Sequence, residues 1–342
     1  MRIPANFIWM VFLLPLIAHA GEYGGEFLRN GIGARGLALG NTYASIADDA
    51  TAPYWNPAGA SLLRQSQVMA MYAPLFNGLA SHQYVGAVLP LPGGVALGLS
   101  LNRLSIDHIP VFARLNGTPE DRYANPENRG TGVAERYFGD TQSAYYFTFS
   151  KTVTFLAPLG WSYTSLPVNF SAGANLKYLS HTIGDYGSGS GVGVDVGVLL
   201  QVDGAQLTSY DPLGRIAFGL SVSDIAGTRI SWNTASARTD AIKTNIRFGA
   251  SLRQPIPSLE AHHITLALDA TTLYHYTRTV GVEYEYENQN AGLRLGYALR
   301  GGWDGDRFTA GAGLYLWKFN LDYAYSRYDI GNTSRISLLM TL

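Results

Sequence analysis

The sequence contains no cysteine and few charges, and beyond its first 20 residues it has no apolar run long enough for a spanning helix. Without cysteine, disulfides and lipid attachment through a thiol are excluded, so an exported form of this chain is held by hydrogen bonding and packing alone. Charged residues make up 14% of the chain, 24 basic against 25 acidic. That balance argues against a general nucleic-acid or anionic-lipid binder. A spanning helix needs about 20 apolar residues, so only strands are left as a means of crossing a membrane.

The first residues form a leader. Arg2 supplies one positive charge, Phe7 to Ile17 is apolar, and Ala18-His19-Ala20 precedes Gly21. A charged start, a short apolar stretch and an A-x-A ending make a secretory signal peptide, with cleavage expected after Ala20.

In return the chain is rich in glycine (39), tyrosine (22) and phenylalanine (14). Tyrosine and phenylalanine favour strands, and glycine inside a strand marks a bend or the close approach of another backbone. From residue 66 onward apolar residues alternate with small or polar ones, as in Phe308, Ala310, Ala312, Leu314 and Leu316 against Thr309, Gly311, Gly313 and Tyr315. This period-2 pattern predicts strands at 66–74, 81–89, 95–106, 141–152, 166–181, 190–202 and 213–223. It continues at 243–253, 262–275, 279–287, 291–300, 306–316, 318–328 and 333–342.

An ordinary secreted sandwich or propeller also alternates, but its strands average about 5 or 6 residues, whereas a tilted membrane strand needs about 9 to 11. Residues 66–342 therefore read as an all-β antiparallel transmembrane barrel of about 14 strands. Lys177, Asp195, Arg247, Asp269, Glu283, Glu285, Arg294 and Asp322 all fall on the polar face and are expected to line its lumen. Placing the long connections 107–140 and 224–242 outside puts both chain ends in the periplasm. Ile336, Leu338, Met340 and Leu342 give the last strand an apolar face, and pairing it with the first strand would close the sheet. Barrels of the outer membrane usually end in an aromatic residue, and Leu342 departs from that habit.

Between leader and strands lies Gly31 to Leu63, too polar and glycine-rich for a spanning helix, with Arg35, Asp48 and Asp49 along it. Asn56-Pro57-Ala58-Gly59 reads as a helix start, with asparagine as N-cap and proline at the first helical position. Residues 21–65 are thus expected to be a partly helical hatch inside the barrel.

The runs Gly33-Ala34-Arg35-Gly36, Leu39-Gly40-Asn41, Ala47-Asp48-Asp49-Ala50 and Trp55-Asn56-Pro57-Ala58-Gly59, with Glu26-Phe27-Leu28 before them, resemble the start of the PorV/PorQ family. That family belongs to the wider group typified by the long-chain fatty-acid channel FadL. The resemblance implies a fourteen-stranded barrel of the bacterial outer membrane whose N-terminal segment folds into the lumen, with Asn56, Pro57 and Ala58 in its Asn-Pro-Ala element. It implies one of two roles: passage of hydrophobic small molecules, or, as in PorV, service to a type IX secretion system that hands exported proteins to an attachment complex.

The remaining motifs point away from catalysis. Gly31-Ile32-Gly33-Ala34-Arg35-Gly36 is a G-x-G-x-x-G run without the preceding strand and βαβ unit of a dinucleotide fold, so a hatch turn explains it better. Asp48 and Asp49 lack further ligands at a metal-loop spacing and are expected to pair with lumen arginines, Arg247 and Arg294 being the candidates. His262 and His263 are adjacent in a strand and point to opposite faces. Ser188 and Ser190 lack the order of a nucleophile elbow. No catalytic residue, metal or cofactor is assigned, and the expected partners are membrane lipid and either a hydrophobic ligand or a secreted protein. The loop 107–140, with Phe112, Tyr123, Tyr137 and Phe138, reads equally as a landing site or a folded lid.

Overall fold

The computed structural model describes residues 24–130, 132–158, 165–208, 213–235, 237–272, 277–290, 293–305, 307–328 and 331–342. The leader expected at 1–20 and the first hatch residues 21–23 lie outside them.

Alternation over long runs produces strands β1 (Gln67–Leu75), β2 (Ala80–Leu91), β3 (Val95–Val111), β4 (Arg136–Pro158), β5 (Ser165–Ile183) and β6 (Gly187–Asp203). They are followed by β7 (Arg215–Ser223), β8 (Thr228–Trp232), β9 (Thr239–Ile242), β10 (Asn245–Pro255) and β11 (His262–Thr271). The last are β12 (Thr277–Asn290), β13 (Leu293–Asp304), β14 (Arg307–Leu316), β15 (Phe319–Tyr328) and β16 (Gly331–Thr341). All pairs are antiparallel, and each predicted strand has its counterpart. β1 pairs with β16 from Gln67↔Thr341 to Tyr72↔Ile336, and β5 pairs with β6, so the sheet closes into a 14-strand barrel. Closure leaves no edge whose N–H and C=O groups would face hydrocarbon.

The remaining two strands, β8 and β9, were not foreseen. β7 pairs with β6 from Asp203↔Arg215 to Val196↔Val222; the chain then steps aside at 224–227, and β8 resumes on β6 at Val192↔Arg229. The break follows from Asp224, Ala226 and Gly227, all with positive φ. It lies beside the glycine-rich stretch 187–197 of β6.

The burial pattern is inverted relative to a water-soluble sheet. Phe308, Leu314, Leu321 and Tyr323 are exposed, while their neighbours Thr309, Asp322, Ala324 and Ser326 are buried. An apolar exterior around a polar interior is what a strand wall in lipid requires. Among the described residues no helix is long and apolar enough to cross a membrane.

Leu342 donates its N–H to the carbonyl of Ser66, which fixes one end of the barrel, here the terminal end. The opposite, distal end carries the two longest connections. In one of them β3 and β4 run past the barrel as a ribbon with a register shift between Ile106 and Ile109. A short helix, α3 (Pro119–Ala124), caps it through a Thr118–Asp121 capping box. Gly24 packs on Asp240 and Ala241 of β9, at the distal end. Gly24 thus lies at the end opposite Leu342, and the segment from Gly24 to Ser66 runs the length of the lumen before β1 begins.

Candidate functional site: the hatch and its lumen

The hatch is helical only in pieces, because glycines and prolines interrupt it. Its elements are a 3-10 helix at Glu26–Arg29, α1 (Ala34–Ala38), α2 (Ala52–Trp55) and a second 3-10 helix at Pro57–Leu62. The Asn56 side chain caps the last of these by accepting from the Ala58 N–H, as the sequence pattern predicts. Asn56 Nδ2 also donates to the carbonyls of Ala44 (2.8 Å) and Val198 (3.1 Å), tying two hatch turns to the wall. Gly59 lies so close to Ala47 that a Cβ there would sit 1.7 Å from its carbonyl oxygen. Pro57 lies against Gly173 of β5, and Ala58 is fully buried.

Arg35 is the hub. Its guanidinium grips Glu283 of β12 with two bonds (2.9 and 2.8 Å) and reaches Asp48 at 2.7 Å and the Tyr43 hydroxyl at 3.1 Å. Glu283 is completely buried and accepts as well from Arg300 at 2.6 Å, while Arg300 holds Asp322 and Tyr315. Asp48 and Asp49 thus lie by an arginine, but the wall arginines predicted as partners are engaged elsewhere. Arg294 pairs with Glu287 and Asn320 inside the wall. Arg247 donates to the Asn41 carbonyl at 2.6 Å and lies over the Trp55 ring at 4.9 Å. The reversal of the hatch between residues 35 and 48 supplies the cation locally, which no strand pattern reveals. Asp49 accepts from Tyr43 and Thr51. Burial raises its carboxyl above the ordinary range, although Arg35 and these hydrogen bonds pull it back.

The other charged residues expected in the lumen also face inward. Asp269 accepts from the backbone N–H groups of Tyr43 (2.8 Å) and Ala44 (2.9 Å). Glu285 pairs with Arg253. Lys177 is held between Asp195 (2.9 Å) and Asp224 (2.8 Å), which pins the break between β7 and β8. Arg300 and Arg335 were not singled out from the sequence, yet both stand at inward positions of predicted strands, where parity would have found them. Arg335 donates to the carbonyls of Gly31 and Asn30. Asp269→Ala leaves two buried hatch N–H groups without an acceptor, at about 1–3 kcal/mol each. Faster trypsin cleavage within the hatch, with the barrel intact on a gel, is the expected readout.

The hatch divides the lumen. On its distal side lies a cavity of about 660 Å³ floored by Tyr54 and Trp55 and walled by threonines 271, 277 and 279 with Arg247 and Arg307. On the terminal side a cleft of about 150 Å³ beside Arg35 and Arg300 lies above a vestibule of about 900 Å³ that Asp48 and Arg294 also line. Among the described residues no group of three or more His, Cys, Asp or Glu side chains is arranged to hold a metal ion.

No family model and no curated protein matches the chain. Among solved structures it is similar to the P. putida toluene transporter TodX, with a TM-score of 0.50 at 10% identity over 91% of this chain and 99% of that one. It is also similar to the monoaromatic hydrocarbon channel CymD (0.47, 9% identity, 91% and 96% covered) and to a Pseudomonas aeruginosa FadL homologue (0.42, 12%, 90% and 96%). At such identities the likeness is one of fold, and the TodX comparison carries it: the chain has a closed antiparallel barrel like that of TodX.

Proposed function

We propose that this FadL-like barrel is a channel of the bacterial outer membrane that binds or passes hydrophobic small molecules, with the hatch as its gate. The observation that carries the reading is the dead end: a molecule entering the distal cavity meets Tyr54 and Trp55, both part of the hatch. Its volume of about 660 Å³ suits a small organic ligand. Passage then requires the hatch to move, and a ligand moves it only by binding the displaced state more tightly. The longest connections cluster at the distal end, which supports placing that end outside the cell. The fold shared with a toluene transporter is consistent with this reading.

The test is uptake of a labelled monoaromatic hydrocarbon and of a labelled long-chain fatty acid by cells that carry or lack the chain. Uptake of at least one should rise with the chain; no difference for either would sink the proposal. A PorV-like role in type IX secretion rests on the N-terminal motif run alone, and no feature of the structure favours it.

A further inference from the structure

The exterior of the barrel is not uniformly apolar. Sheet register places Gln83, Arg103, Ser143, Ser180, Ser190 and Ser231 directly opposite one another on the outward side of β2, β3, β4, β5, β6 and β8, with Ser143 itself buried beneath Arg103. The next outward row toward the distal end is Ser81, Ser105, Thr141, Thr182 and Ser188, again in direct register. Neither row contains an apolar side chain. At a strand spacing of about 4.8 Å the patch is about 24 Å wide, and its rows are about 7 Å apart.

Two observations separate this patch from an ordinary polar rim. It is one-sided: across the barrel Trp303 and Phe308 face out, 47% and 64% exposed, and carry the apolar surface almost to the ends of β13 and β14. It is also basic. Arg103 uses its Nε on Ser143 at 3.1 Å, and Arg229 is exposed beside Val192 with no partner among the described residues. The acids nearest these rows do not oppose them: Asp140 accepts from His181 and Asp240 from Trp232. Asp107 and Asp185 lie beyond the rows, toward the distal connections. Directly below, Tyr145 and Tyr178 lie 6.1 Å apart on the outer face, where amphipathic rings anchor a protein at a bilayer interface.

We infer that this face is a docking site for a phosphorylated saccharolipid of the surrounding leaflet, its sugar hydroxyls meeting the serine and threonine rows and its phosphates meeting Arg103 and Arg229. Hydroxyl rows match a saccharide better than a glycerol headgroup, and guanidinium groups are the usual partners of phosphate. The chain's near-zero net charge excludes a general basic surface, not two arginines placed by the sheet. The site rests on the membrane-barrel reading but not on transport.

The test uses the leaderless full chain in nanodiscs of phosphatidylcholine doped with a bisphosphorylated glucosamine-disaccharide lipid, its dephosphorylated form, or phosphatidylglycerol, with bound lipid counted by native mass spectrometry. The bisphosphorylated lipid should be retained in preference to both others. Arg103→Gln with Arg229→Gln should lower that retention about thirtyfold, roughly fivefold for each arginine. Ser180→Leu with Ser190→Leu should lower it with both arginines in place. Heat-modifiable migration on a gel confirms that each variant is a folded barrel. Equal retention by the arginine variant, or equal retention of phosphatidylglycerol or the dephosphorylated lipid, overturns the site. A barrel that transports without retaining lipid refutes this site alone; one that retains lipid without transporting refutes the channel alone.

Discussion

Arg35→Ala is expected to turn a closed barrel into a leaky one. The wild-type hatch is joined to the wall through a two-bond grip on Glu283, and the same guanidinium neutralises Asp48. Removing it leaves Glu283 with Arg300 alone and strips Asp48 and Asp49 of their cation. Breaking one side of a buried ion pair costs about 3–5 kcal/mol, and here the loss falls on the hatch rather than on the strand ladder. Single-channel recordings in planar bilayers should show raised and fluctuating conductance, and trypsin should cut at Arg29 and Arg64 sooner. Glu283→Gln should behave similarly, because it weakens the grip on Arg35 and Arg300 at once. Arg294→Ala is the control, since its partners belong to the wall. Conductance in Arg35→Ala equal to the wild type would refute the role of this arginine.

Gly219→Val and Gly302→Val are expected to unseat the hatch altogether. A Cβ at Gly219 would fall 2.1 Å from the Ala44 carbonyl oxygen, and one at Gly302 would fall 2.2 Å from the Gly40 nitrogen. Both obstacles are backbone, so no side-chain rotation relieves them, and overpacking of this kind costs on the order of 3 kcal/mol. Gly301 provides the contrast: a Cβ there meets nothing within 4 Å, and Gly301→Val should leave stability and conductance unchanged. The measurement is the temperature at which each barrel loses its heat-modifiable gel mobility, together with its conductance. Wild-type values for both inward variants would show that the hatch does not seat on these glycines.

These glycines show how far the sequence could be read. Their frequency announced that some backbone comes close to the strands, but not which one. Gly173, Gly197, Gly219, Gly249 and Gly302 all turn out to face the hatch. The strand series was legible because period-2 alternation is written residue by residue, and one face of every barrel strand meets lipid while the other meets protein or water. The inward placement of Lys177, Asp195, Asp269 and Glu283 followed from the same parity. β8 and β9 were not legible, since β8 depends on a partner, β6, about 40 residues away, and β9 pairs with β8. Their five- and four-residue lengths give alternation little room to show.

The sequence by itself determined the fourteen strands of the barrel wall, their inward and outward faces, the closure of first strand on last and the helix start at Asn56. Those features depend on local chemistry and on a solvent that differs between the two faces. Only the tertiary structure decided that Arg35 rather than Arg247 or Arg294 holds Asp48 and that Gly24 reaches the distal end. It alone aligned serines from six strands into one outward face. Each of these depends on how a folded segment sits inside a closed wall or on the register between strands. Such distances are set by packing between residues far apart in the chain, and no periodicity along it encodes them.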